Sequence, residues 1–184
     1  MSPGRRRVEL AGTLPVMEVT EVPEFSTEDA AALAGGEADP YGTEHLAMSW
    51  EPKDHHVVVT EDGRTIGHAG FLPIEVEADG TRIPGVGLGG VMVHPAFRGR
   101  RIGETLVRET TARMASTGRL FGLLFCRDVR LRFYERMGWQ QVRGEVVVDQ
   151  EGGPIVMPLL TCWYSFTPDC DAPSAGLRVL GPPF

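Results

Sequence analysis

The spacing of apolar and polar positions changes period along this chain. Near its start, "STEDAAALAGG" carries acids in a first turn and a glycine stop at Gly35, which predicts a helix beginning at Ser26 or Thr27. After an irregular stretch come three β-type runs, "HHVVVT", "RTIGHAGFLPIEVEA" and "TRIPGVGLGGVMV". Asp62-Gly63 and Asp79-Gly80 separate them, so the runs predict an antiparallel meander. Ile102, Leu106, Val107 and Met114 then form a helical stripe between Gly99 and Ser116. "RLFGLLFC" is an unbroken apolar run of buried-strand length. "RDVRLRFYERMG" sets Val129, Phe133 and Met137 four residues apart, with Asp128 as N-cap and Gly138 as stop. "EVVVD" and "PIVMPLLTCWY" predict two more strands, and residues 165–184, with Pro168, Pro173, Pro182 and Pro183, an irregular tail. The pattern describes a mixed, mostly antiparallel sheet flanked by helices, α+β in class with α/β character. Its unit from "GLGGVMV" to "RLFGLLFC" predicts a right-handed crossover.

Composition narrows the setting. The 184 residues suit a single domain with its own core, and no apolar run nears the ~18 residues of a membrane span. "MSPGRRRVEL" lacks the apolar segment of a signal peptide, so a cytoplasmic protein without a membrane partner is expected. Cys126, Cys162 and Cys170 have the spacing of neither a zinc site nor a disulfide framework, and the adjacent His55 and His56 point to opposite strand faces; no metal is expected. Net charge is −7, yet Arg98 to Arg143 hold eleven arginines and four acids, a local +7 that leaves −14 for the rest. This division predicts a basic site for an anionic ligand and, elsewhere, surfaces suited to a cationic or neutral small molecule. The arginine-rich segment lacks interleaved stacking aromatics, so no nucleic-acid partner is expected. Lys53 is the only lysine beside seventeen arginines.

The most basic stretch, "HPAFRGRRIGETLV", lies at the entrance to the second helix. A helix N-terminus offers unpaired N–H groups and the positive end of its dipole to phosphate oxygens. Gly99 and Gly103 let an anion approach the backbone, and Arg98, Arg100 and Arg101 bring charge. A phosphate-bearing cofactor is the expected ligand. A P-loop is excluded because its lysine is missing. The cluster "GVGLGG", Gly85 to Gly90, precedes a β-type run where a dinucleotide fingerprint would open a helix, so it predicts a bulged strand.

The tract "VMVHPAFRGRRIGETLV", followed by "RLFGLLFC" and "RFYERMGW", resembles the core of the GCN5-related N-acetyltransferase (GNAT) superfamily over roughly Val57 to Leu160. That family's signature is Arg or Gln, two residues, Gly or Ala, one residue, Gly or Ala. Arg98 fills its first position and Gly103 its last, while Arg101 stands where a small residue is usual. The resemblance implies a GNAT-like fold and transfer of an acetyl group from acetyl-CoA to a primary amine of a small molecule. It places the pantetheine on the backbone of Val91, Met92 and Val93, the pyrophosphate on the amides of Gly99, Arg100, Arg101, Ile102, Gly103 and Glu104, and the general acid at Tyr134. A non-catalytic acyl-CoA-binding module of the same fold is the alternative. A narrower resemblance, to the aminoglycoside 2'-N-acetyltransferases, rests on the meander through "FRG", His68 and "IVMPL", although Gly89 stands where those enzymes carry an acid. Candidate bases are His68, Glu75, Glu77, Asp169, Asp171 and the terminal carboxylate, and Cys126 reads as a packed thiol. A free "VVVD" or "IVMPLL" edge would allow a homodimer.

Overall fold

The computed structural model describes residues 16–184. Ten strands share one sheet: β1 (Met17–Val22), β2 (His55–Glu61), β3 (Arg64–Ala78), β4 (Thr81–Val93), β5 (Phe121–Cys126), β6 (Gln140–Gln141), β7 (Glu145–Gln150), β8 (Gly153–Val156), β9 (Leu160–Ser165) and β10 (Gly176–Val179). Helices α1 (Thr27–Ala34), α2 (Ile102–Ala115) and α3 (Leu131–Glu135) flank it. The spatial order is β6-β9-β5-β4-β3-β10-β7-β8, with β2 and then β1 extending from the first half of β3. The pairs β4–β5 and β7–β10 are parallel, and the rest antiparallel.

Local chemistry sets these elements where the pattern predicts them. The Ser26 hydroxyl accepts from the Asp29 N–H at 3.1 Å while the Asp29 carboxylate accepts from the Ser26 N–H at 2.9 Å, and Gly35 ends α1 in the left-handed region. Asp62, Gly63, Asp79 and Gly80 all take positive φ, as two tight hairpins require. Two apolar layers result. Val57, Leu88, Leu106, Met114 and Trp139 pack between the sheet and the α2–α3 side, while Leu72, Val76, Phe121, Leu123 and Trp163 fill the other face. On that second face α1 closes over Met92 with Leu33 and Ala34. No helix among the described residues is long and apolar enough to cross a membrane.

Four expectations need correction. The stretch expected as an irregular tail contains β10, whose buried Leu177 and Val179 insert between β3 and β7, and Phe184 is buried as well. Prolines on both sides hide this four-residue alternation from a window-based reading. "PIVMPLLTCWY" divides into β8, a hairpin with β7, and β9, which crosses to β5; Pro158, which lacks an N–H, lies between them. The segment from Asp128 to Arg130 is a 3-10 turn, not the start of an α-helix. Its three-residue period takes Val129 off the inner stripe and leaves it 68% exposed, and Asp128 caps nothing beyond the N–H of Val129. Finally, of the two edges offered, "VVVD" is an internal strand between β10 and β8, while "IVMPLL" begins in β8, which ends that side of the sheet with Ile155 and Val156 exposed.

Candidate active site

Strands β4 and β5 pair only where Val86–Leu88 meets Gly122–Leu124, and beyond Leu88 they part. A bulge on the other edge of β4 accompanies the parting. His68 and Gly70 of β3 oppose Met92 and Gly89, so Gly90 and Val91 share a single partner position, and Gly90 takes φ 62. The bulge expected of the glycine-rich strand is therefore present. Its carbonyl accepts from His68 Nδ1 at 2.9 Å, which fixes the proton on that nitrogen. His68 Nε2 then accepts from His56 Nδ1 at 3.1 Å, and Phe25 stacks on the His68 ring at 3.8 Å. Burial holds the His68 pKa down to about 4, so it is a neutral brace behind the bulge and its lone pair is already engaged.

A cleft of about 1160 Å³ passes through the sheet at this parting. Ile102, Phe133, Tyr134 and Met137 line it from the α2–α3 side, and Trp50, Lys53, Phe125, Leu159 and Phe184 from the other. Glycines shape the second wall. A β-carbon on Gly87 would come within 2.6 Å of the Phe184 ring, and one on Gly89 within 2.7 Å of Lys53 Cε, so the position lacking an acid leaves room for the only lysine. Tyr134 is 8% exposed, and burial pushes its phenol well above the ordinary range; its hydroxyl has no hydrogen-bond partner among the described residues. Behind it Cys126 and Cys162 lie 4.0 Å apart as free thiols, and hydrogen bonding followed by burial raises the Cys162 pKa.

The entrance of α2 has the expected shape with a different use of its arginines. Gly99 and Arg101 both adopt positive φ, 81° and 60°, and no side chain caps the helix, so the first amides of α2 face the cleft unpaired. Val91, Met92, Val93, Arg98, Gly99, Arg101, Ile102, Gly103 and Glu104 line the cleft. Arg100 does not. Its guanidinium turns over the Phe97 ring and grips Glu61, lowering that carboxyl's pKa. Arg98 holds Glu37 through two hydrogen bonds, of 2.6 and 2.5 Å, and donates from Nε to the Val93 carbonyl at 3.1 Å. The nearest acids thus claim both guanidinium groups, which pin loops around the cleft. Arg127, Arg130 and Arg136 also line it and have no ion-pair partner among the described residues. Sequence reasoning missed these three because they sit on the unforeseen turn and at the end of α3.

Most candidate bases lie elsewhere. Glu75, Glu77, Asp169 and Asp171 do not line the cleft; Glu75 is an exposed residue on the outward face of β3. The terminal carboxyl does reach it: a β-carbon on Gly89 would come within 2.7 Å of the Phe184 carboxyl carbon. Among the described residues six Arg and Lys side chains line the cleft, against a single acidic side chain, Glu104, which pairs with Arg108 at 3.2 Å.

Residues 20–142 match the family model described as an acetyltransferase (GNAT) domain. The chain belongs to the GNAT acetyltransferase family. Solved structures agree in fold. A GNAT family acetyltransferase from Brucella melitensis, in complex with acetyl-CoA, superposes with a TM-score of 0.53 at 22% identity, covering 86% of this chain and 93% of its own. YhbS, a GNAT family N-acetyltransferase from Escherichia coli in complex with CoA, gives 0.57 at 18% identity, covering 90% and 89%. ElaA from Escherichia coli gives 0.55 at 17%, covering 82% and 100%. No curated protein matches the sequence. The cleft of this GNAT domain fits an acyl-CoA on two observations: β4 has no strand partner on its β5 side from Gly89 to Val93, and the amides entering α2 are uncapped.

Proposed function

We propose that this protein is an N-acetyltransferase that moves the acetyl group of acetyl-CoA to a primary amine of a small molecule by direct attack, with Tyr134 as general acid. The observation that carries the reading is the placement of the Tyr134 hydroxyl, unpartnered, in the cleft where β4 and β5 part. The free edge of β4 at Val91, Met92 and Val93 orients the pantetheine amides, and the backbone from Gly99 to Glu104 receives the pyrophosphate. Arg98, which lines the cleft, and Arg100, which does not, brace this region through Glu37 and Glu61, and Arg127, Arg130 and Arg136 add positive charge without an ion-pair partner among the described residues.

Catalysis by such a site rests largely on position, because holding the amine against the thioester removes the entropy of encounter. The amine nitrogen bonds to the acetyl carbon as the carbon–sulfur bond breaks, and the departing sulfur takes the Tyr134 proton. The amine loses one proton to solvent before attack and a second, relayed through water, restores the phenol. With its pKa raised by burial, Tyr134 keeps its proton throughout the neutral range and is an acid, not a base. Among the described residues Glu104 is the only acidic side chain lining the cleft and the Phe184 terminal carboxyl, beside Gly89, its only other acid; water relays the amine's protons in this reading.

A different observation favours a second reading, an acyl-CoA-binding module without turnover: among the described residues the cleft has no acidic side chain but Glu104, which Arg108 holds. A thiol-release screen of acetyl-CoA and longer acyl-CoAs against amino acids, peptides, polyamines and aminoglycosides separates the two. Acceptor-dependent thiol release supports the enzyme; tight acetyl-CoA binding with no release across the panel supports the module.

A further inference from the structure

Among the described residues Lys53 is the one charged side chain on the wall of the cleft that faces away from α2 and α3. Its position is built. The stem runs along two glycines of adjacent strands, and a β-carbon on Gly70 would meet Lys53 Cγ at 2.5 Å, one on Gly89 Lys53 Cε at 2.7 Å. Nζ donates one hydrogen bond, to the Glu51 carbonyl at 2.9 Å, and no carboxylate lies within 4.0 Å of it among the described residues. An ammonium group has three donors, so two remain for a ligand. Desolvation pulls the Lys53 pKa down to about 8, against the weak opposing charge of Glu51. The Phe184 terminal carboxyl lies beside Gly89 on the same wall but not within 4.0 Å of Nζ, so the partly desolvated cation keeps donors that a bound anion can take. Around it stand Trp50, Phe125, Leu159 and Phe184, with the Phe125 and Phe184 rings 4.9 Å apart. Glu104, the only acidic side chain of the cleft among the described residues, belongs to the opposite wall and is held by Arg108.

Resting on the acetyl-transfer reading above, we propose that the acceptor is an α-amino acid with an aromatic or large apolar side chain, its carboxylate held by Lys53 and its side chain by the Trp50, Phe125 and Phe184 rings. Lys53 is then a specificity-determining residue. Among the described residues no Asp or Glu side chain lines this wall. Lys53 serves the chemistry as well, since a fixed positive charge beside the acceptor ammonium favours its neutral, nucleophilic form.

The test pairs acceptors that differ only in the carboxylate, L-phenylalanine with 2-phenylethylamine and L-tryptophan with tryptamine, and follows thiol release from acetyl-CoA. Wild type should prefer the amino acid at least tenfold in kcat/KM. In Lys53→Met that preference should fall at least tenfold, through KM, and Lys53→Arg should restore part of it. Equal or better use of the decarboxylated amines or of spermidine by wild type overturns the proposal, as does an unchanged preference in Lys53→Met. Calorimetric titration of N-acetyl-L-phenylalanine in the presence of CoA reads the same site without turnover. If no acceptor releases thiol but this ligand binds and Lys53→Met weakens it at least tenfold, the carboxylate site stands and the catalytic reading falls; if it fails to bind, the carboxylate site falls.

Discussion

The two walls of the cleft are made in opposite ways. The wall on the α2 side presents backbone: an unpaired strand edge and the first amides of a helix, supplied by consecutive residues from Gly89 to Glu104. The far wall presents side chains, Trp50, Lys53, Phe125, Leu159 and Phe184, gathered from four separate segments over glycines that leave them room. A wall of amides recognises a common group such as a phosphate and tolerates changes in its own side chains. A wall of side chains recognises what is particular to one acceptor and is sensitive to each substitution. On the proposed function the first wall takes the donor and the second the acceptor, and the two should therefore respond to mutation differently.

The largest expected effect lies where the two walls meet. Tyr134→Phe should lower kcat for thiol release by about 10²- to 10⁴-fold while the KM for acetyl-CoA stays within twofold, because only proton donation is removed. Steady-state kinetics checks it, and an unchanged kcat would remove Tyr134 as the acid.

The brace behind the bulge should appear in stability. His68 is depressed in the fold, so its neutral form is favoured and its contribution is complete above the unfolded value near 6.5. As pH falls from 6.5 toward about 4 the unfolded chain binds the proton first, and on the order of 3 kcal/mol is lost. Thermal melts across that window should show the decline in wild type and a shallower one in His68→Gln.

The far wall can be disturbed without touching the donor. Gly87→Ala places a β-carbon against the Phe184 ring, which should cost about 1–3 kcal/mol of stability and raise the acceptor KM several-fold, with acetyl-CoA affinity held. Comparable losses for both substrates would mean the walls are not independent.

Within the donor wall, the arginines already committed to acids should matter less than the uncommitted ones. Arg130→Ala should weaken acetyl-CoA roughly three- to tenfold in a salt-sensitive manner, while Arg100→Ala should change it less than twofold, as calorimetry in low and high salt would report. The smallest effect belongs to Arg101. Its left-handed backbone at φ 60 carries a strain that glycine would not, so Arg101→Gly should add up to ~1 kcal/mol in chemical denaturation.

The same contrast explains how much the sequence discloses. "HPAFRGRRIGETLV" is legible because its strand end, glycines and helix entrance are contiguous, and β3 and β4 because Asp-Gly turns bound them. What the arginines of that stretch bind is not legible: Glu37 and Glu61, the partners of Arg98 and Arg100, lie 61 and 39 residues away. The far wall leaves no local signal, since Lys53 reaches Gly89 only through the β2–β3–β4 meander and Phe184 only after β10 enters the sheet. β10 is short and proline-flanked, and it forms because β3 and β7 leave a gap between their edges, a long-range condition that no window along the chain contains.

The most direct test of the account is calorimetric titration of acetyl-CoA against wild type and Gly103→Asp. A β-carbon at this position makes only ordinary contacts, 3.5 Å to Phe133 and 3.6 Å to Val93, and an acid in the first turn suits the helix dipole, so the fold should be retained. The account predicts micromolar or tighter binding by wild type and a loss of more than tenfold in the variant, whose carboxylate would stand where the helix amides receive the pyrophosphate. Equal affinity in the two proteins, with matching thermal melts, would contradict it.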